Sequence, residues 1–230
     1  MNVNISDPKT IVVIALAVIM GWFAFGLLFN LRRGNAVLRW LQGGLPLLGE
    51  RTTFRWLGSS VAQMEISRPK PPFRTVQLML VLAPRDVPWF WLLASLRGRR
   101  DILIFRAKLA SAPEADLEMA DPVSWTGRTA LSDAAGKGWM CEPYKGYRLC
   151  APADALQTAR RALPDLEAAL RPASPILVRL SARSEAQQVE VHVPLPRAGQ
   201  DARAYFKALQ AVARALAGRS QAPLVPIHAK

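Results

Sequence analysis

Few residues in this 230-residue chain could do chemistry by type and spacing. Cys141 and Cys150 are its only cysteines. Trp139–Tyr144 and Tyr147–Ala151 read as two strands of a hairpin turning at Lys145-Gly146. Counting outward from a two-residue turn, Cys141 faces Cys150 at a non-hydrogen-bonded position, where side chains come closest. That geometry allows a disulfide. A cytoplasmic location, argued below, favours two packed, reduced thiols instead.

The remaining candidates reduce to absences. His192 alternates with Val191 and Val193, so it shares a face with Glu190 and is expected at the surface. His228 stands alone in a proline-containing tail. Gly44-Leu-Pro-Leu-Leu-Gly49 has the glycine spacing of a phosphate loop, but Glu50 and Arg51 follow where lysine and a hydroxyl residue are needed, and no strand precedes it. Glu114, Asp116, Glu118 and Asp121 lack the spacing of a calcium loop and are expected in a solvated acidic loop. No catalytic, cofactor-binding or metal site is therefore expected, and no cofactor.

What remains is charge beside apolar surface. Thr10–Leu31 contains no charged residue, and Ile11–Leu31 reads IVVIALAVIMGWFAFGLLFNL. At about 1.5 Å per residue such a helix crosses a hydrocarbon core of about 30 Å. Asp7 and Pro8 suit its N-cap and first position. A cleaved signal peptide needs a basic leader, a shorter apolar core and a small-residue cleavage site; MNVNISDPK is neutral, and Phe29, Asn30 and Leu31 end the run. Asn4-Ile5-Ser6 fits a glycosylation pattern by chance, and Ala17 with Gly21 forms a small-xxx-small pair on a helix expected to face lipid.

The net charge of +13 is uneven. Residues 1–31 are neutral, residues 32–110 carry 14 basic and 4 acidic side chains, and residues 111–230 carry 15 and 12. Arg32, Arg33 and Arg39 directly follow the apolar run. Positive flanks stay in the cytoplasm, so the N-terminus is expected outside and the C-terminal domain inside. Arg32, Arg33, Arg39 and Trp40 form the first part of an expected membrane-surface set. The second part is Trp89, Trp91, Arg97, Arg99 and Arg100. Val87–Leu96, VPWFWLLASL, is either a short buried helix, the favoured alternative, or an interfacial one with arginines toward phosphates.

The elements that must position these residues make an α+β protein. Its expected parts are a tail (1–9), a transmembrane helix (10–31), a juxtamembrane segment (32–51) holding a separate short helix, a first α+β half (52–110), an acidic loop or linker (111–138), a second α+β half (139–218) and a tail (219–230). Strands are expected at Thr52–Leu57, Val61–Arg68, Arg74–Ala83, Asp101–Leu109, Pro175–Ala182 and Val189–Leu195, and helices at Asp154–Leu170 and Asp201–Ala217, the latter ended by Gly218. Two strands and a helix recur at 61–97, 139–170 and 175–217, a faint repeat that would place helices on one face of a mainly antiparallel sheet.

The resulting expectation is a membrane-anchored, non-enzymatic accessory or assembly subunit. Its partners would be the bilayer, anionic lipids in particular, and membrane or cytoplasmic proteins. An enzyme with a dispersed site and a membrane-tethered nucleic-acid-binding module are the alternatives, nucleic acid being the less favoured partner.

Overall fold

The computed structural model describes residues 7–171, 177–196 and 199–217. Asn4-Ile5-Ser6, Gly218, His228 and the 219–230 tail lie outside them.

Helix α1 (Pro8–Gln42) runs unbroken for 35 residues. The Asp7 side chain accepts from the Lys9 N–H (3.1 Å), and Pro8 fills the first turn, where a missing N–H does no harm. The separate juxtamembrane helix expected after Leu31 is the last part of α1, because no proline interrupts the chain between Lys9 and Gln42. Gly43 ends it, and a 3₁₀ turn (Leu45–Leu47) leads to the sheet. No residue from Pro8 to Phe25 is buried, a length of roughly 27 Å. Beyond it, Gly26, Asn30, Gly34, Val37 and Leu41 form one buried stripe at helical spacing.

The sheet orders nine strands among the described residues as β1-β2-β3-β4-β9-β8-β5-β7-β6, every neighbouring pair antiparallel. The first four strands, β1 (Gly49–Trp56), β2 (Val61–Pro69), β3 (Phe73–Val81) and β4 (Ile102–Leu109), form a meander, with α2 (Pro88–Leu96) between β3 and β4. The rest comprises β5 (Leu117–Ala120), α3 (Trp125–Gly136), β6 (Met140–Tyr144), β7 (Tyr147–Ala151), α4 (Leu156–Leu170), β8 (Arg179–Arg183), β9 (Gln188–Pro194) and α5 (Ala202–Leu216). β9 pairs with β4 from Ile102↔Pro194 to Lys108↔Gln188, so the two expected halves share one sheet.

The expected linker at 111–138 instead contains β5, an interior strand, and α3. All four β5 residues are buried, so no alternation marks the strand, and α3 buries only Gly127, Ala130 and Ala134. Of the acids expected there in solvent, Glu114 is exposed, but the others are held by the protein. Glu118 is buried in ion pairs, Asp116 accepts from the Ser184 N–H (2.6 Å), and Asp121 accepts from the Val123 N–H (2.8 Å).

The expectation of helices on a single face holds for most of the fold. The end of α1, α4 and α5 close over the apolar face, where Leu78, Phe105, Leu117, Leu180 and Val191 join Leu163, Phe206 and Leu209 in one core. The β6–β7 hairpin is tied to α4 by the Arg160–Glu142 pair and by Lys145–Glu167 (2.7 Å). α3 lies on the other face, toward the β5 and β7 side, with its buried alanines apart from that core. The strand–strand–helix recurrence is present as β2-β3-α2, β6-β7-α4 and β8-β9-α5, but α2 does not close over the sheet.

Candidate membrane-surface site

The site is built where α1 meets the turn after β3. Leu82 and Ala83 are buried at the end of the strand, Pro84 breaks it, and Pro88 starts α2. At Gly26 a side chain would collide with the Arg85 carbonyl, so the absence of a Cβ sets the close approach of α1 to this turn. Trp22 donates its indole N–H to the Arg85 carbonyl (2.9 Å), and Asn30 donates to the Ala83 carbonyl (3.1 Å).

An ionic latch fixes the junction. Arg85 makes two 3.0 Å bonds to Asp101, whose side chain is 4% exposed. Arg33 adds a 2.7 Å bond from the helix, and the Ala83 N–H a fourth at 2.8 Å. Arg85 also donates to the Asn30 side-chain oxygen (3.2 Å) and lies 5.0 Å from the centre of the Phe29 ring. Two guanidinium groups against one carboxylate leave this cluster net positive. A buried pair of this kind adds little net stability but is costly to break from one side.

α2 departs from this junction with no buried residue. The favoured expectation, a short buried helix, is therefore corrected: Trp89, Phe90, Leu92, Leu93 and Leu96 are each at least 49% exposed. Trp91 touches Trp22 of α1, ring centres 6.2 Å apart, so the apolar surfaces of α2 and α1 are continuous. The helix ends at Gly98, whose φ of 72° a side chain would disfavour, with N–H bonds from Gly98 to Ser95 and from Arg99 to Ala94.

The structure disperses the anticipated surface set. Trp89, Trp91, Arg97, Arg99 and Arg100 stay together on and just after α2. Arg32 and Arg39 are exposed, and Arg33 is committed to Asp101. Trp40 is not a headgroup anchor. It donates to the Gln200 carbonyl (2.6 Å) and packs on Tyr205 and Phe206 of α5 (5.5 and 6.4 Å between ring centres). Because α1 continues as one rod, Trp40 stands roughly 14 Å along the axis beyond Leu31. Sequence reasoning missed Trp22, Asn30, Arg85, Asp101 and Trp125. The one available signal was the Gly26-Asn30-Gly34 spacing, a polar residue between two glycines one turn away on either side.

Cys141 and Cys150 lie at the far edge of the sheet. The register is the expected one, from Tyr144↔Tyr147 to Cys141↔Cys150, with Lys145 and Gly146 both at positive φ as a type I′ turn demands. The cysteines form a disulfide where packed thiols were expected.

The second face of the sheet is polar. One cross-strand row contains Glu65, Gln77, Arg106, Glu190, Ser181 and Glu118. Arg179 bonds both Glu118 (2.6 Å) and Glu190 (3.2 Å), Arg183 bonds Glu118 (2.6 Å), and Arg106 bonds Glu190 (2.6 Å). His192 is buried, not at the surface, because β9 is an interior strand on which Ile104 and Arg179 flank it. Its Nε2 lies 2.7 Å from Glu190; since a carboxylate only accepts, that nitrogen carries the proton, and Nδ1 has no partner. Burial pushes the Glu190 carboxyl up, but hydrogen bonds and charge from His192 and Arg106 outweigh it and hold the group at about 2. For Arg179, burial works downward, and Glu118 more than reverses it. On the other face, burial raises the Tyr205 hydroxyl, which has no partner. Glu118 and Glu190 are thus spent on arginines, a closed network and not a poised acid–base pair. Among the described residues, no three of His, Cys, Asp and Glu come together as a metal site.

Compared with known protein families and with curated proteins, the chain matches none. α1 is long and apolar enough to cross a membrane.

Proposed function

We propose that the chain is a single-pass membrane protein whose basic α+β domain is held against the bilayer and serves as a non-enzymatic accessory or assembly subunit. α1 crosses the membrane, α2 lies in the interfacial layer beside it, and the domain meets anionic lipid with its surface arginines. Membrane or cytoplasmic proteins dock on the outward surface. One observation carries this: α2, with five large apolar side chains bare, Trp89, Phe90, Leu92, Leu93 and Leu96, adjoins a helix of which no residue from Pro8 to Phe25 is buried.

The arginine flank supports a cytoplasmic domain. The disulfide favours the opposite compartment, since such bonds persist where conditions are oxidising. Greater weight rests with the flank, because the hairpin register brings the two cysteines together whether or not they are joined. Protease added to intact cells should leave the domain whole. Digestion from outside would reverse the orientation. Gentle detergent extraction should recover the chain in a larger complex; a lone monomer would count against the assembly role.

A further inference from the structure

Arg97, Arg99 and Arg100 form no ion pair among the described residues, although acids are close by. Two clefts meet at them. One, of about 420 Å³, is lined by Pro84, Phe90, Leu93, Ala94, Arg97 and Trp125 and is mainly apolar. The other, of about 410 Å³, has Arg99, Arg100, Asp121, Ser124 and Thr126 among the polar groups on largely apolar walls that include Val123 and Val178. Arg99 and Trp125 belong to both, and the guanidinium lies 4.9 Å from the centre of the indole. Asp101, on the second wall, is already neutralised by Arg85 and Arg33. The loop is pinned, because Arg128 donates to the carbonyls of Arg97 (3.0 Å) and Val123 (2.7 Å).

We propose that this double cleft binds one anionic phospholipid, its phosphate between Arg97, Arg99 and Arg100 and an acyl chain along Phe90 and Leu93. Two arginines at the mouth of adjoining apolar clefts fit a molecule with an anionic head and a hydrocarbon tail. The apolar chamber is formed by α2, whose surface is continuous with that of α1, so such a lipid reaches it laterally from the leaflet. The proposal rests on the membrane reading above and deepens it from general attraction to a built site.

The test uses the full chain, purified in a neutral detergent and incubated with short-chain phosphatidylglycerol or phosphatidylcholine, with retained lipid counted by native mass spectrometry. One phosphatidylglycerol should be retained in preference to phosphatidylcholine, and millimolar inorganic phosphate should not displace it. The double variant Arg99→Gln/Arg100→Gln should bind roughly 30-fold more weakly, whereas Arg51→Gln/Arg55→Gln, with the same loss of charge elsewhere, should change little. Leu93→Asn should weaken retention without altering the thermal melt. Equal retention of the two lipids, equal effects of the two double variants, or displacement by phosphate would overturn the proposal. Extraction of native membranes with alkaline carbonate separates the two readings: release of the protein defeats the anchor, while firm retention without lipid preference defeats only the cleft.

Discussion

α2 and α5 each follow a strand hairpin, yet they end in opposite surroundings. α5 is amphipathic: Tyr205, Phe206, Leu209, Val212 and Leu216 are buried, while Arg203, Lys207 and Arg214 cover the outer side. α2 is apolar almost all round and buries nothing. A helix of the first kind is completed by its own sheet, since one stripe is all it must hide. A helix of the second kind needs an apolar environment on several sides, and this domain provides none. The more apolar helix is the less buried, and this is the contrast that the proposed contact with lipid accounts for.

The contrast predicts unequal responses to the same substitution. Phe206→Ala should destabilise the domain by about 3–5 kcal/mol, read by denaturant unfolding in detergent. Phe90→Ala should stay within about 0.5 kcal/mol in the same assay. A large loss for Phe90→Ala would mean that α2 does pack on protein. The junction between the two regimes is next: Asp101→Ala removes the acceptor that Arg85 and Arg33 share and should cost about 1–3 kcal/mol, because both guanidinium groups keep access to solvent. Restoration on adding Arg85→Ala would confirm the latch as the cause.

Acid should act on the polar face and spare α2. Glu190 is held down at about 2 from an ordinary value of 4.5, so its contribution is complete above pH 4.5 and is lost as pH falls toward 2. That contribution is at most about 3 kcal/mol. Glu190→Gln should flatten stability across this window. The smallest effect concerns lipid contact: Phe90→Asp should leave the melt unchanged while reducing tryptophan quenching by brominated lipid, and unchanged quenching would take α2 out of the interface.

Much of this architecture was legible in the chain. Alternation marked β3, β4 and β9, and helical spacing marked α5. The Lys145-Gly146 turn carried the cysteine register. Hidden features share a cause, namely that burial on both faces or by small residues leaves no period. β5 is four buried residues, and α3 packs through glycine and alanine. His192 looked solvent-facing because alternation tells which face a side chain takes but not what covers that face. At the candidate site, the tryptophans and arginines of α2 could be read from composition. The Asn30-Arg85-Asp101-Arg33 latch could not, because its members are separated by up to 71 positions in sequence and meet only through the sheet.

The unbroken course of α1 has a mechanical consequence. On the membrane reading proposed above, the rod that enters the bilayer also carries the Val37 and Leu41 side chains that seat it in the core, so no hinge lies between anchor and sheet. With α1 upright in a leaflet, tumbling is abolished and only heading, a rotation about the membrane normal, stays free. A partner moving in the same plane then meets the outer surface at a constant height and tilt, and its search shrinks to two coordinates of position and one of angle.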